Sequence, residues 1–532
     1  MKIFLTLITV LCFVCDCISE EPVRIGSRRE LFVDKALIKR TSGQLSLRLH
    51  SPTPRETVMV YDAPWEGNAT TYHCIFQDGD RYRMYYLTRN LSYQNKQLHV
   101  KAHRFCLVES NDGIHWKRPN LGTHEFEGST NNNIVLTPED AERLNARLGA
   151  PAIFRDDNPK AAPDARYKTF ISSKSPIGMI PMKSADGINW FPMSDTPVIT
   201  FGAFDSMNLG FWDSERKEYR AYWRYFTEGT TNDKEWKPAG VRGIRTGTSR
   251  DFITWESTAD LKYQNNIETE MYENIIHPYH RAPHLKIGFP VRYVDRAGAS
   301  SLTDPSGGDR VDAKRVAEWP RSLKALPDFE HRKIRSSLSE RYGTALTEGL
   351  LISSRDGVNF HRWEEAFLRP GAERPGAWYY GQQFIAWHAV ETPSALKGAP
   401  NELSLYATEG DWLGDGKTLR RFTLRLDGFV SAHASAKGGE LITRPFVFDG
   451  SQLSLNFATS AAGSLWVELQ DGRGRPMHGY KLSDCDELFG DTVDRIVTWQ
   501  GKTDVSSAIG KTVRLRFFLR DADLYSFQFQ RE

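Results

Sequence analysis

Four stretches of this chain carry nearly the same phrase: "SNDGIHW" (Ser110 to Trp116), "SADGINW" (Ser184 to Trp190), "SRDFITW" (Ser249 to Trp255) and "SRDGVNF" (Ser354 to Phe360). Each follows a β-rich run and precedes another; "HRFCLVE" leads into the first and "GLLIS" into the fourth. Ser-x-Asp-Gly is turn chemistry, because the Asp side chain bonds its own backbone and Gly supplies positive φ. The closing Trp or Phe is an apolar plug expected to return to a core, so Trp116, Trp190 and Trp255 should be mostly buried. A phrase recurring at intervals of about 65 to 105 residues marks a repeat architecture. About four short strands separate successive phrases, as in "VITFGA", "MNLGFWD", "YRAYWRYF" and "GIRTGTS". Repeated four-stranded antiparallel units make a β-propeller.

Four units cover about Thr57 to Pro119, Asn131 to Met193, Thr196 to Ser257 and Ile267 to Phe367. A fifth, "WYYGQQFIAW…ELSLYATEGDW…LRRFTLRLDG", lacks the phrase and keeps the strands. The early "ELFVDKALI" is expected to close the ring against the last blade. The expected fold is therefore all-β: a five-bladed β-propeller over 22–428, with a charged, partly helical insertion at about 295–342 capping one rim. After Gly428 the texture changes. "QLSLNFATS", "SLWVELQD", "TVRLRFFLRD" and "YSFQFQ" alternate cleanly, which predicts a C-terminal β-sandwich over 429–532.

The first twenty residues, "MKIFLTLITVLCFVCDCISE", carry one Lys, an apolar run from Ile3 to Val14 and small residues near the end. They read as a signal peptide over 1–19, so the protein is expected to be secreted or periplasmic. Asp16 stops the run short of the about 20 residues a membrane span needs, and no later stretch qualifies. Lys plus Arg is 69 and Asp plus Glu is 67, a balance that gives no reason to expect nucleic acid as partner. The 14 Trp and 20 Tyr suit β-sheet cores and sugar stacking alike. Outside the leader only Cys74, Cys106 and Cys485 remain, an odd, sparse set that is no disulfide framework. No spacing matches a zinc site, and no cofactor is expected.

Together, the phrases, blade count and trailing sandwich resemble the five-bladed propeller glycoside hydrolases of families 43 and 32. Closer still is a group of secreted, family-32-like bacterial proteins common in planctomycetes. The residues that carry the resemblance include "ELFVDKALI", "FDSMNLGFWD" (Phe204 to Asp213) and "RAPHLKIGFPVRY" (Arg281 to Tyr293). "SRDGVNFHRWEEAFLRPG", "RRFTLRLDGFVS", "TSAAGSLWVELQD" and "VRLRFFLRDADLYSF" continue it. The resemblance implies a carbohydrate substrate and hydrolysis of glycosidic bonds by paired carboxyls. It also implies one acidic residue on the innermost strand of each of the first three blades. Family 32 writes these as Asn-Asp-Pro-Asn-Gly, Arg-Asp-Pro and Glu-Cys. None is intact here, and "FRDDNP" (Phe154 to Pro159) echoes only the second.

Glycosidic hydrolysis needs two carboxyls across the bond, one protonated and one ionised. A propeller supplies them from separate inner strands. The candidate acids are Asp62 and Glu66 in "VYDAPWEGN", Asp157 beside Asp156, Asp205 in "FDSMN", and Glu270 in "ETEMYEN" with Tyr272, Glu273 and Asn274 nearby. Asp62 or Glu66, Asp157, Asp205 and Glu270 are expected to converge on one end of the axis, with Arg281 and His284 beside them. Asp62, Glu66, Asp156 and Asp157 read equally as turn carboxylates. "HPYHRAPH" gathers His277, His280, Arg281 and His284; sugar recognition, metal binding and structural roles all stay open, although Pro278 and Pro283 argue for a loop. Arg281 and Arg292 would clamp an anionic sugar by bidentate bonds. Trp65, Trp378 and Tyr379 are candidate stacking platforms, the latter two equally core. Asp112, Asp186, Asp251 and Asp356 recur in every phrase and are therefore structural. Three functions remain: an exported hydrolase of plant or algal polysaccharide fragments, a non-catalytic glycan-binding propeller, and a scaffold for a partner at the sandwich. Acids on four inner strands favour the first.

Overall fold

The computed structural model describes residues 21–94, 97–264, 267–299, 302, 311–337, 339–410 and 417–531. The leader expected over 1–19 lies outside them. The chain divides into two compact units: one holds Leu31–Asp34 and Leu47–Ser431, the other the described residues up to Glu30, Lys35–Ser46 and those from Ala432 on.

The larger unit is a five-bladed propeller. Blade 1 is Thr71–Asp78, Arg81–Gln94, Gln97–Ser110 and Ile134–Leu136. Blade 2 is built on Phe154–Arg155, Tyr167–Lys174, Ile177–Ser184 and Phe191–Pro192, and blade 3 on Leu209–Asp213, Glu218–Thr231, Trp236–Ser249 and Trp255–Asp260. Blade 4 orders Ile276–Tyr279, Ala282–Gly288, Ile352–Ser354 and Asn359–Arg362 from inside outward. Blade 5 has Val390–Thr392, Glu402–Glu409 and Thr418–Arg425, and its outermost strand is Thr53–Val60 from the other end of the chain. The ring is thus closed by Thr53–Val60 and not by "ELFVDKALI". Blades 1 to 3 also begin one strand later than the sequence suggested. The phrase lies between the third and fourth strands, so the blade 1 unit that ended just past it, at Pro119, stopped short of the outer strand Ile134–Leu136.

The repeated phrase is a joint between blades. In the second copy, Ser184 Oγ accepts the Gly187 N–H (2.9 Å), and Asp186 Oδ1 accepts the N–H groups of Ile188 and Asn189 (both 2.8 Å). The same bonds recur around Asp112, Asp251 and Asp356. The turn then docks on the preceding blade. Tyr406, Tyr85 and Tyr222 each stand on the second strand of their blade, and each donates its hydroxyl to the next blade's turn, at Gly113 O (2.5 Å), Gly187 O (3.1 Å) and Gly357 O (3.0 Å) respectively. These glycines have φ of 72°, 79° and 81°. In blade 3, Phe252 holds the position at φ 68°, and its ring stacks on Phe170 of blade 2 at 4.7 Å where the other joints have tyrosine. Trp116, Trp190 and Trp255 are only partly buried, contrary to expectation. The indoles of Trp190 and Trp255 donate back to Gly187 O and Phe252 O (both 3.2 Å), so they close their own turns at the rim.

This joint makes a prediction. A Cβ on Gly187 would stand 2.3 Å from Tyr85 Oη and would force a left-handed conformation on a non-glycine residue. Gly187→Ala should therefore cost about 2–4 kcal/mol, strain and overpacking together. Urea denaturation measures it; an unchanged midpoint would remove the joint from the account.

A helical insertion (Ala313–Glu318, Arg321–Ala325, Phe329–Ser336, Arg341–Thr344) sits at the tip of the strand pair Val291–Asp295 and Ala345–Gly349 in blade 4. Arg332 and Arg335, both fully buried, anchor it by donating to the carbonyls of Trp378 and Tyr380 before the inner strand of blade 5.

In the second unit, the long strands Gln452–Asp471 and Val513–Gln530 pair antiparallel with an irregularity between Thr459 and Ser464. Such irregularities bend long strands. Phe446, Phe448, Phe517, Phe527 and Phe529 pack as a ring-on-ring core. Val23–Gly26 pairs in parallel with Phe446–Phe448, so these residues belong to this unit and not to the propeller.

Candidate functional site

Inner strands run parallel where neighbouring blades touch, as at Cys74 with Trp387 and Ala150 with Met207. The ring therefore has two ends, one where the inner strands begin and one where they finish. Trp387 plugs the axis between them. Fully buried, it bonds His73 O of blade 1 through its N–H (2.7 Å), donates its indole to Ile276 O of blade 4 (2.9 Å), and lies 6.4 Å from Phe154 of blade 2.

At the beginning end, Arg224 ties two acids together. Its guanidinium pairs with Asp205 Oδ1 at 2.9 Å and lies 3.9 Å from Glu273 Oε1. Both acids precede their inner strands, in blades 3 and 4. The Asp205 side chain is 49% exposed, whereas Glu273 is almost sealed at 1%. Burial pushes the Glu273 carboxyl up to about 7; nearby Asp205 adds to the push, while Arg224 and the Met207 N–H hold it back. Tyr272 stands beside it, with Arg224 and Arg242 over its ring at 4.8 and 5.1 Å and its hydroxyl bonded to that of Tyr380. Burial alone would raise the Tyr272 phenol, but Arg341, Arg224 and Arg242 outweigh it and hold it below the usual tyrosine value. Tyr72, at the start of blade 1's inner strand, has its phenol raised well above the usual value by burial and then by Glu273. The cluster thus sets a buried carboxyl that titrates near neutrality beside an exposed acidic side chain, an arrangement suited to acid-assisted bond cleavage.

The predicted residues divide between the two ends and the ring's outside. Asp205 lies in the cluster. Glu270 is one step out, bonded to the Arg242 N–H (3.0 Å) and guanidinium (3.2 Å). Asp62 and Glu66 do not join. Both bind Arg118, and Glu66, 3% exposed, also accepts from Tyr86 Oη at 2.5 Å. The loop that carries them runs outside the inner strand, which starts only at Thr71. Asp157 follows its inner strand rather than preceding it and so faces the finishing end, paired with Arg155 at 2.8 Å. Asp156 is buried against Lys168 and Tyr219. Arg281 also belongs to the finishing end, where it binds Asp427 (2.9 Å), which Tyr279 bonds as well; buried His284 follows it on the second strand. Arg292 is held by Glu348 at 2.8 and 2.5 Å. Trp65 donates to Asn133 (2.7 Å) and Trp378 to Gly371 O (2.9 Å). Sequence reasoning named Glu273 only as a neighbour of Glu270 and passed over Arg224 and Tyr72. An Arg in the middle of the buried run "YRAYWRYF" was the available signal, since a charge there demands a buried partner.

No family model and no curated protein matches this chain. Solved structures to which it is similar include a glycoside hydrolase family 43 arabinoxylan arabinofuranohydrolase from Bacillus subtilis in complex with cellotetraose, at 13% identity over 91% of this chain and 99% of that one, TM-score 0.38. An N-acetylgalactosamine deacetylase from F. plautii in complex with blood group B trisaccharide matches at 12% identity over 70% and 94%, TM-score 0.38. A structure described under the GH130 family of mannoside phosphorylases matches at 13% identity over 71% and 94%, TM-score 0.36.

Proposed function

We propose that the protein is an exported glycosidase whose active site is the beginning end of the propeller axis. The observation that carries this reading is the Asp205–Arg224–Glu273 arrangement, with one carboxyl raised to about 7 and the other exposed. Sugar binding must displace the side chains that seal Glu273 at 1% exposure, and Glu273 then gives its proton to the leaving glycosidic oxygen. Asp205 supplies the carboxylate that meets positive charge at the sugar ring or activates what attacks it. Arg224 fixes both and returns neither proton, because a guanidinium stays charged. The leader-like first twenty residues and the resemblance to families 43 and 32 support an extracellular carbohydrate substrate. The test is a screen of the chain without residues 1–19 on plant and algal polysaccharides, read by released reducing ends. Release is expected on at least one, and none from the Asp205→Asn variant; equal release from both proteins would overturn the assignment.

One observation favours a second reading, a glycan-binding propeller without turnover. At this end blade 1 presents Tyr72 and blade 2 presents Ala150, Pro151 and Ala152, where the resemblance implies acids. Saturable glycan binding with no cleavage of any substrate would establish that reading instead.

A further inference from the structure

The finishing end of the axis holds a cavity of about 710 Å³, within the about 300–1,000 Å³ of small-molecule sites. It lies beyond the Trp387 plug from the two acids. All five blades contribute to its walls, with Phe76, Phe154, Phe211 and Trp212 giving aromatic surface. His277 and His388 also line it, their rings 5.2 Å apart.

The chemistry of this cavity selects a class of ligand. His277 is 2% exposed, and its Nδ1 faces the Pro278 carbonyl at 2.9 Å. A carbonyl only accepts, so Nδ1 carries the proton and Nε2 is left with a lone pair. That Nε2 has no hydrogen-bond partner among the described residues. Burial pushes the His277 imidazole down to about 4 and holds His388 well below the usual histidine value, so both are neutral at physiological pH. The charged side chains on the wall already have polar partners, Arg155 with Asp157 (2.8 Å) and Glu391 with His280 (3.3 Å) and Asn401 (2.9 Å). An anionic ligand would find no unmatched Arg or Lys there. A purely apolar one would leave the buried His277 Nε2 unsatisfied. A neutral ring bearing hydroxyls meets both demands: an O–H group donates to the His277 lone pair, and C–H faces lie on the aromatic walls. We propose that this cavity is a second carbohydrate site, for a neutral sugar, independent of the chemistry at the other end.

The experiment is saturation-transfer NMR and calorimetry on the chain without residues 1–19, using glucose, galactose, mannose, xylose, arabinose and fructose as probes. At least one should bind. His277→Phe, which removes the acceptor, should weaken it at least tenfold. Ser214→Trp, which fills the wall at an exposed position and spares the core, should do the same if His277→Phe fails to fold. Asp205→Asn should leave this binding unchanged, which separates the site from the proposed active site. Three outcomes overturn the proposal: no sugar binds, binding survives Ser214→Trp, or binding is lost with Asp205→Asn. Calcium binding that His277→Phe abolishes would replace the sugar with a cation and overturn it as well.

Discussion

Asp205→Asn should lower the rate of glycosidic cleavage by roughly 10²–10⁴-fold while the protein stays folded. The substitution keeps the shape of the side chain and the oxygen that accepts from Arg224 at 2.9 Å, and removes only the charge. Because the Asp205 side chain is 49% exposed, no sealed carboxylate is lost from the core. The guanidinium it faces is 3% exposed and keeps Glu273 and the Tyr272 carbonyl as partners. The loss should appear in kcat, since the carboxylate acts on charge that develops only as the bond breaks. A fall confined to KM would make Asp205 a binding residue.

Glu273→Gln should abolish the alkaline limb of the pH–rate profile together with most of the activity. As the proton donor, Glu273 works only while protonated, so the wild-type rate should fall as pH rises through about 7. The same group makes a stability prediction with a definite sign. Its carboxyl goes from an ordinary 4.5 to about 7 on folding, so between these values the folded state holds the proton that the unfolded chain has released. Its contribution is full below pH 4.5 and is lost as pH rises through 7, a change of about 3 kcal/mol. Gln has no proton to lose. The variant should therefore show a flatter stability–pH curve and exceed the wild type above neutrality, as urea denaturation at several pH values would reveal. Parallel curves for the two proteins would mean that Glu273 does not titrate near 7.

The ring was legible because its joints are local. Ser184, Asp186 and Gly187 make their bonds within four residues, so a phrase of seven letters carries the whole turn, and four copies count four blades. Closure was harder to see: Thr53–Val60 completes a blade whose other strands lie more than three hundred residues away, and nothing in its own pattern names that partner. Among the acids, Asp205 was legible as a lone carboxylate between two apolar strands. Asp157 looked equivalent, but its inner strand is only Phe154–Arg155, and a shift of a few residues carries an acid from one end of the axis to the other. Glu273 and Glu270 differ in the same way, since three residues along an extended chain reverse the side on which a carboxyl emerges. Tyr72 adopts φ 56°, a backbone choice that a tyrosine does not advertise.

The most direct measurement is a crystal structure of the Asp205→Asn variant with an oligosaccharide that the wild type cleaves. The account predicts a glycosidic oxygen within hydrogen-bond reach of the Glu273 carboxyl, and a sugar ring against the substituted side chain, both on the Asp205 side of Trp387. A glycan bound only on the far side of Trp387, among His277, His388 and Trp212, would contradict it.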